Sequence, residues 1–265
     1  MKITGNILKM KTSLEEVIQY QLPIGQECVP MNDLIDKEIR FRFMGQINCI
    51  HCGRKTRKSF SQGYCYSCFN TLPQCDVGIV HPELDRSHLG ISRDMEWARL
   101  NSLTPHYVYL ALSSDVKVGV TRASQIPTRW IDQGAVKAII LACTPNRHIA
   151  GVIEVALKEF YSDKTNWRKM LSNNLAKGVD LDVEKERARG FLHPELQQYV
   201  VPDQQQVSLV YPVKLYPHKM SPLSFEKEVE YSGVLKGIKG QYLLFDDQRV
   251  LNIRKHSGYL MELEY

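Results

Sequence analysis

Residues 107–121 read YVYLALSSDVKVGVT, and this stretch decides how the centre of the chain is interpreted. Apolar residues alternate with other residues over 107–112 and again over 116–121, a period typical of two β-strands. The Ser-Ser-Asp sequence at 113–115 favours a turn, so we predict an antiparallel hairpin. One face of this hairpin is entirely apolar and is expected to be buried: Val108, Leu110, Leu112, Val116, Val118 and Val120.

The opposite face of the hairpin has a different chemistry. It carries two phenols, Tyr107 and Tyr109, together with the ammonium group of Lys117 and the glycine Gly119. This combination favours a functional site. A half-exposed sheet face, on which tyrosine and threonine are common, is the simpler alternative.

The residues after the hairpin predict a helix, a strand and a second helix. Residues 126–133 can form a helix with Pro127 in its first turn, and this helix carries Arg129. Residues 138–143 are apolar and predict a buried strand. Residues 148–161 predict an amphipathic helix, whose apolar stripe is Ile149, Ile153, Leu157 and Phe160.

Two polar residues near the second helix allow more than one interpretation. Glu154 lies at the margin of the apolar stripe, where it can point into a cleft or pair with Lys158 one turn later. Asn166 and the preceding Thr165 come just before residues 167–171, so Asn166 can cap a short third helix. Both residues are therefore candidates for a site and for local helix stabilisation.

Two C-x-x-C pairs, at residues 49–52 and 65–68, are separated by twelve residues. Each pair can form a tight turn, and four thiolates can then surround one zinc ion at Zn–S distances of about 2.3 Å. We predict a structural zinc ribbon with no open catalytic position and with the ligands Cys49, Cys52, Cys65 and Cys68. A pair of redox motifs, or a ligand role for His51, is the alternative. Three further residues have poorer spacing and are interpreted as ordinary residues rather than a second metal site: Cys75, His81 and His88.

The predicted ribbon is also the most basic part of the chain. Residues 37–75 contain seven basic residues and one acidic residue, a local charge of +6 compared with +5 for the whole chain. Basic side chains near aromatic residues suit phosphates and unstacked bases, whereas a solvated ribbon surface is the alternative. The candidate nucleic-acid contacts are Arg54, Lys55, Arg57 and Lys58, with Phe60, Tyr64 and Tyr66 near them, and Arg122 at the end of the hairpin.

The overall composition is that of a folded protein, because 43% of the 265 residues are hydrophobic and 24% are charged. The longest apolar runs, 107–112 and 138–143, are far too short to span a membrane. Lysines and asparagine within residues 2–11 argue against a signal peptide, and an odd count of seven cysteines argues against a disulfide framework. We therefore expect a cytoplasmic protein with no membrane partner.

β-Structure is predicted at both ends of the chain. The candidate strands are 3–10, 17–22 and 38–46 at the N-terminal end and 229–235, 241–245, 250–253 and 259–263 at the C-terminal end. Neither group has enough strands for its own core, so the two combine into one small barrel or pack on the central region. We expect an α+β fold composed of an N-terminal β segment (1–48), the zinc ribbon (49–75), a central α/β domain (104–176), a charged helix with a proline-rich connector (177–222) and a C-terminal segment resembling a small β-barrel (223–265).

The central region combines a strand, a turn, a strand, an arginine-bearing helix, a strand, a glutamate-bearing helix and an asparagine in that order. Tyr107-Val108-Tyr109 and Lys117-Val118-Gly119 mark its two strands, and the three polar residues are Arg129, Glu154 and Asn166. This arrangement resembles the GIY-YIG endonuclease domain over residues 104–172, with the two tripeptides at the positions of its signature triplets. The resemblance implies a short mixed sheet flanked by helices.

The same resemblance implies phosphodiester hydrolysis. Glu154 would hold a divalent cation, Mg²⁺ or Mn²⁺, and Arg129 would stabilise the charge that develops on the phosphate. Tyr109, together with Tyr107, would orient or deprotonate the attacking water, and Asn166 would brace the site. The chain departs from the family at the first position of each triplet, where it has tyrosine for glycine and lysine for tyrosine. The lysine would be a base of lowered pKa or a phosphate contact.

Five stretches extend the resemblance beyond the central region: 49–54, 117–122, 128–135, 163–167 and 251–256. On these stretches the whole chain resembles an uncharacterised bacterial family that combines a four-cysteine zinc ribbon with the nuclease-like domain. Two hypotheses of function follow. The first is a metal-dependent nuclease acting on DNA or RNA, in which the ribbon aids binding. The second is a non-catalytic, zinc-containing nucleic-acid-binding protein with a degenerate nuclease fold, and a zinc-stabilised protein-interaction factor is a further alternative.

Overall fold

A computed structural model describes residues 1–202 and 205–265 of the chain. It contains two compact units. The first unit comprises Met1–Asn70 and Val210–Tyr265, and the second comprises Thr71–Leu209, which is inserted between the two parts of the first. Several sheets and short helices make the fold mixed α+β, as predicted. Residues 203 and 204 of the predicted proline-rich connector lie outside the described residues.

The strands in the described residues are numbered in chain order. They are β1 (Lys2–Asn6), β2 (Lys11–Ser13), β3 (Gln19–Ile24), β4 (Glu27–Pro30), β5 (Glu38–Asn48), β6 (Lys55–Thr56), β7 (His106–Leu112), β8 (Val116–Arg122), β9 (Lys137–Thr144), β10 (Val207–Ser208), β11 (Ser221–Pro222), β12 (Glu230–Lys239), β13 (Tyr242–Phe245), β14 (Arg249–Asn252) and β15 (Tyr259–Glu264). Most of the predicted strands are therefore present, with boundaries that differ by a few residues.

The α-helices in the same residues are short. They are α1 (Tyr66–Thr71), α2 (Val77–Val80), α3 (Met95–Asn101), α4 (Thr128–Asp132), α5 (Arg147–Leu157), α6 (Trp167–Leu171), α7 (Leu181–Phe191) and α8 (Pro194–Gln197). No helix among the described residues has both the length and the apolar character needed to cross a membrane. The predicted charged helix is α7, but it is partly buried because Leu181, Lys185 and Ala188 face the interior.

The first unit is built on one large sheet with the order β1-β15-β5-β12-β13-β14-β11, to which β6 adds by pairing with β5. Strands from both ends of the chain therefore share this sheet, while β2, β3 and β4 form a small second sheet. The expectation of a barrel-like C-terminal segment is wrong, because the large sheet is open. The C-terminal strands do not close on one another, because β12 and β15 each pair with β5 from the N-terminal part of the chain, and β1 and β11 lie at the two ends of the sheet order.

The second unit contains a four-stranded sheet with the order β10-β9-β7-β8. The predicted hairpin is confirmed by the β7–β8 register, in which Tyr109 lies opposite Gly119. Its apolar face is buried in a core that also includes residues of α5 and α7. The opposite face is not half-exposed, since Tyr109 is fully buried and Lys117 has an exposed fraction of only 4%.

Helix α5 is shorter than predicted. Asn146 caps its start by accepting a hydrogen bond from the backbone N–H of Ile149, and the helix ends at Leu157 instead of residue 161. After the helix the chain turns to β8, where the backbone N–H of Val118 donates to the carbonyl of Ser162. Phe160 is therefore not part of a buried helical stripe but is half-exposed and stacked on Phe191.

Gly151 in α5 allows the turn Pro82–Leu84 to approach the helix closely. A Cβ atom at this position would lie 2.2 Å from the backbone nitrogen of Glu83. Gly151→Ala is expected to lower the free energy of unfolding by about 1–3 kcal/mol, because backbone atoms must move apart. Urea denaturation measures the change. The control is Gly190→Ala in α7, where a Cβ atom meets nothing within 4 Å and should be neutral or stabilising. Equal effects of the two substitutions would contradict the close approach.

Candidate metal centre and central polar cluster

The four cysteines of the C-x-x-C pairs come together in the first unit. Their sulfur atoms all lie within 4.8 Å of one another, and the Sγ atoms of Cys52 and Cys65 are 3.8 Å apart. Cys49 and Cys68 are buried, whereas Cys52 is exposed. Four convergent thiols are the donor set of a closed tetrahedral zinc site, so the predicted cluster fits a structural metal.

Local backbone structure explains why the sulfurs converge. Cys49 follows the end of β5, and its carbonyl accepts a hydrogen bond from the N–H of Gly53 at 2.9 Å. Gly53 has a φ of 72°, a left-handed conformation that glycine adopts without strain. The second pair is held by α1, which begins directly after Cys65 and contains Cys68. The turn after Cys49 therefore positions the first two sulfurs and the start of α1 positions the other two, so that all four converge.

The thiols of the cluster differ in acidity before a metal binds. Burial raises the pKa of Cys49, but backbone hydrogen bonds from Cys52, Cys65 and His51 outweigh it and lower the value to about 6. Burial and the neighbouring cysteine side chains raise the pKa of Cys68 to about 12. Because metal ligation requires thiolates, metal binding must displace protons from this cluster.

The residues with poorer spacing do not converge into a group of ligands. In the described part of the chain, the four cysteines are the only group of three or more metal-ligating side chains that converge. His88 stacks on His148, with ring centroids 4.2 Å apart. The interpretation of Cys75, His81 and His88 as ordinary residues stays a prediction.

In the second unit, the polar face of the hairpin carries a fully buried phenol. The Tyr109 hydroxyl donates a hydrogen bond to Oε1 of Gln133 at 2.8 Å, and burial raises its pKa. Its ring lies directly over Gly119, where a Cβ atom would come within 2.6 Å of the phenolic oxygen. Glycine at this position therefore makes room for the tyrosine on the neighbouring strand.

Lys117 lies two residues before Gly119 on the same face of β8. Its Nζ donates to Oγ1 of Thr165 at 3.2 Å, and the backbone of residue 117 bridges to Ser162. Burial, followed by the positive charge of Arg129, lowers the pKa of Lys117 to about 8. The side chain is therefore a buried amine that is still mostly protonated at neutral pH.

Helix α4 carries Arg129, which lies close to Lys117 and Tyr109. Its charge acts on both Lys117 and Tyr109, and a hydrogen bond with Arg129 opposes the raised pKa of the phenol. The guanidinium is half-buried, and its Nε has no hydrogen-bond partner. Neither Lys117 nor Arg129 forms an ion pair with a carboxylate among the described residues, so the cluster holds two cations without direct counterions.

Glu154 brings a carboxylate to this cluster from α5. Its side chain is mostly buried, and burial raises its pKa, against the opposing charge of Lys158. Oε2 lies 3.8 Å from Nζ of Lys158, which is also 3.6 Å from a carboxylate oxygen of Asp163. The residue therefore faces the interior and pairs with the lysine one turn later, while its place in a cleft stays a prediction.

Three predicted site residues are less central. Tyr107 is half-buried on the hairpin, opposite Thr121 on β8 and Cys143 on β9. Asn166 is exposed and caps α6 by accepting a hydrogen bond from the N–H of Lys169 at 3.2 Å. Arg122 is half-buried and hydrogen-bonds Asn101 in the second unit. The structure thus brings together Tyr109, Lys117, Arg129 and Glu154.

Sequence reasoning missed several residues around these four. Gln133 could have been found, because it lies four residues after Arg129 and so near it along α4. Thr165 is predicted from the sequence only as a neighbour of the helix cap. Arg147 and Glu83 have no local sequence signal. The charge of Glu83 acts on Glu154, the charges of Glu154 and Arg129 act on Arg147, and Arg147 also donates to the carbonyl of Gly78 at 2.7 Å.

These features define a mixed α+β protein with a four-cysteine metal-binding cluster. The chain belongs to the family described as "Protein of unknown function (DUF2797)", whose family model matches residues 36–261. No match to the chain is found among the curated proteins or among the solved structures. The predicted membership of an uncharacterised family is therefore confirmed, while the resemblance to GIY-YIG endonucleases stays a prediction.

Proposed function

We propose that the protein is a metal-dependent nuclease that hydrolyses phosphodiester bonds of DNA or RNA at the central polar cluster. The observation that carries this proposal is the pairing of two cations, Lys117 and Arg129, that lack direct carboxylate partners and lie near a buried carboxylate. The charges of Glu154 and Asp163 act on Lys117 without forming a direct ion pair. A bound phosphate would place negative charge in direct contact with both cations.

The two cations have complementary roles in this proposal. Arg129 carries a planar guanidinium that can form paired hydrogen bonds with phosphate oxygens, and its buried Nε has no hydrogen-bond partner among the described residues. Lys117 contributes a compact positive charge from the adjacent strand. A cationic site of this kind stabilises the charge that develops on phosphate oxygens in the transition state.

Glu154 fits the part of a divalent-cation ligand, because a buried carboxylate is the donor that Mg²⁺ and Mn²⁺ prefer. A bound cation would supply Lewis-acid stabilisation of the phosphate. To bind a cation, the Glu154 carboxylate must separate from Lys158. This ion pair is weak, because Oε2 and Nζ are 3.8 Å apart, so its loss costs little.

Tyr109 is assigned a positioning role. Its hydroxyl proton is directed to Gln133, and its side chain is fully buried, so its oxygen is left to accept a hydrogen bond from Arg129. A raised pKa makes this phenol a poor base at neutral pH. The half-buried Tyr107 remains the candidate for orienting the attacking water.

Comparison of Glu154→Gln with Glu159→Gln tests the proposal. Glu159 is an exposed glutamate five residues further along the chain, so its substitution removes one negative charge outside the cluster. Cleavage of labelled single-stranded, duplex and branched substrates is measured with Mg²⁺ or Mn²⁺. Glu154→Gln is expected to lower the rate by about 100-fold or more, and Glu159→Gln to leave it unchanged. Wild-type cleavage that survives Glu154→Gln would refute the assigned site.

A non-catalytic nucleic-acid-binding protein is the second candidate. It is favoured by the ion pair of Glu154 with Lys158 and by Lys117 at a position where the GIY-YIG family has tyrosine. This candidate predicts salt-dependent binding without turnover by the wild-type protein. The same assay therefore separates the two candidates, provided that binding is measured on each substrate.

A further inference from the structure

The basic residues around the cysteine cluster divide into two groups. Arg40 and Arg42 on β5 are paired with acidic side chains, since each has its Nε within 3.7 Å of a carboxylate oxygen of Glu230. The second group is exposed and forms no ion pair among the described residues: Arg54, Lys55, Arg57 and Lys58. The unneutralised positive charge of this part of the first unit is therefore concentrated between the two C-x-x-C pairs.

An aromatic cluster lies in the same segment. The ring of Phe60 contacts the rings of Tyr66 and Phe69, with centroid separations of 5.5 and 5.8 Å. Nζ of Lys58 lies 5.4 Å from the centre of the Phe60 ring. Tyr66 is the most exposed of these aromatic residues, with 65% of its surface open to solvent. A large, exposed aromatic side chain thus lies next to Phe60, whose ring also contacts Lys58, in the segment that carries the exposed cations.

Tyr66 is also held in place from both sides. It lies between Cys65 and Cys68, and it is the first residue of α1. Metal ligation of the two neighbouring cysteines would fix the backbone that carries the ring. A preordered ring loses little conformational entropy when a ligand stacks on it.

We infer that Arg54, Lys55, Arg57, Lys58 and Tyr66 form a ribbon face that binds single-stranded nucleic acid, with an unpaired base stacked on Tyr66. The four cations would contact the phosphates. Stacking on an aromatic ring is open to any unpaired base because every base has a π-face. In a duplex the bases already stack on each other, so the ring has no base to receive. This inference rests on the proposed function only in taking nucleic acid as the ligand.

Binding by the full-length, zinc-loaded protein tests the inference. The probes are a fluorescein-labelled oligodeoxythymidylate, which has no base pairs, and a labelled blunt-ended duplex of two strands, which has no unpaired bases. Both are measured by anisotropy without a divalent cation. Tyr66→Ala is expected to weaken binding of the single strand by about 5- to 100-fold and to leave duplex binding nearly unchanged. Tyr66→Phe is the matched control, because it keeps the ring and should keep the affinity.

The charge contribution is measured separately. Replacing the four cations of the ribbon face by glutamine is expected to weaken binding of both probes and to reduce the slope of log affinity against log salt by up to about 3 for the single strand. A control variant replaces four exposed lysines elsewhere by glutamine: Lys177, Lys219, Lys227 and Lys255. Zinc content is checked in every variant, so that a loss of affinity is not due to a disrupted ribbon.

The outcomes separate this inference from the proposed function. Equal single-strand affinity of the wild type and Tyr66→Ala would overturn the stacking role. Equal effects of the ribbon and control charge variants would overturn the ribbon face. Cleavage that depends on Glu154 but not on these residues would leave the proposed function standing without this face. Binding of neither probe at low salt would overturn both.

Discussion

Substitution of Cys52 or Cys65 by serine is expected to remove most of the bound zinc and to loosen residues 49–70. Each substitution takes one thiolate from a shell of four whose sulfurs lie within 4.8 Å of one another. Structural zinc contributes on the order of 10 kcal/mol to the folding of small metal-stabilised modules, and the ribbon has only the two-residue strand β6 and a short helix of its own. Metal analysis of the purified protein gives the zinc content per chain.

The other cysteines supply matched controls for the zinc prediction. Cys28→Ser and Cys75→Ser lie outside the cluster and should retain the zinc content of the wild type. Hydrogen exchange should increase in residues 49–70 of the ligand variants and in neither control. A full zinc content after loss of a cluster thiol would refute the four-cysteine site, and a loss after Cys75→Ser would restore the second metal site.

Lys117→Met is expected to stabilise the fold while reducing nucleic-acid cleavage. The lysine is almost completely buried and its pKa falls from 10.5 to about 8, which corresponds to about 3 kcal/mol of unfavourable burial at neutral pH. Methionine fills a similar volume without a charge. If the ammonium group contacts phosphate, its loss should slow cleavage by about 100-fold. Urea denaturation and the cleavage assay measure the two effects.

The pH dependence gives this prediction a second test. Below pH 8 Lys117 is protonated in both the folded and the unfolded states, so the folded state bears the full cost of burial. Between about pH 8 and pH 10.5 the folded state has released the proton and the unfolded state has not, so wild-type stability gains from rising pH. The advantage of Lys117→Met should therefore be largest below pH 8, shrink steadily as the pH rises, and disappear near pH 10.5.

A second buried lysine provides the control for Lys117. Lys239 in β12 is fully buried, and burial lowers its pKa to about 8 as well. Its ammonium group lies 5.4 Å from the ring centres of Tyr211 and Tyr216, so Lys239→Met loses these contacts and should stabilise less. It should leave cleavage unchanged. Equal loss of cleavage in the two variants would show that Lys117 has no specific role.

The features that the sequence predicted correctly depend on neighbouring residues. The alternation in residues 107–121 predicted the hairpin and its buried apolar face, because side chains of a strand alternate between faces. The spacing of two C-x-x-C pairs predicted the cysteine cluster, because each pair forms its own turn. The left-handed conformation of Gly53 follows from the same turn.

The features that escaped prediction depend on contacts between distant residues. The bulge in β12 and the division of its pairing between β5 and β13 cannot be predicted from the alternation of residues along the strand. Lys117 is buried because the chain returns to β8 at residue 162, and no local sequence pattern predicts this return. The same return ends α5 early and leaves Phe160 exposed. Helical periodicity alone predicts that the helix and its apolar stripe continue through Phe160.

The interruption of the first unit by the second has a consequence for synthesis on the ribosome. β5 lies between β12 and β15, and β1 pairs with β15, so these N-terminal strands find most of their sheet partners in segments that are synthesised after the inserted unit. The inserted unit, with its own core, is complete in the growing polypeptide before those partners emerge. Until β12 and β15 have been synthesised, the nascent N-terminal strands carry unpaired edges, which favour aggregation.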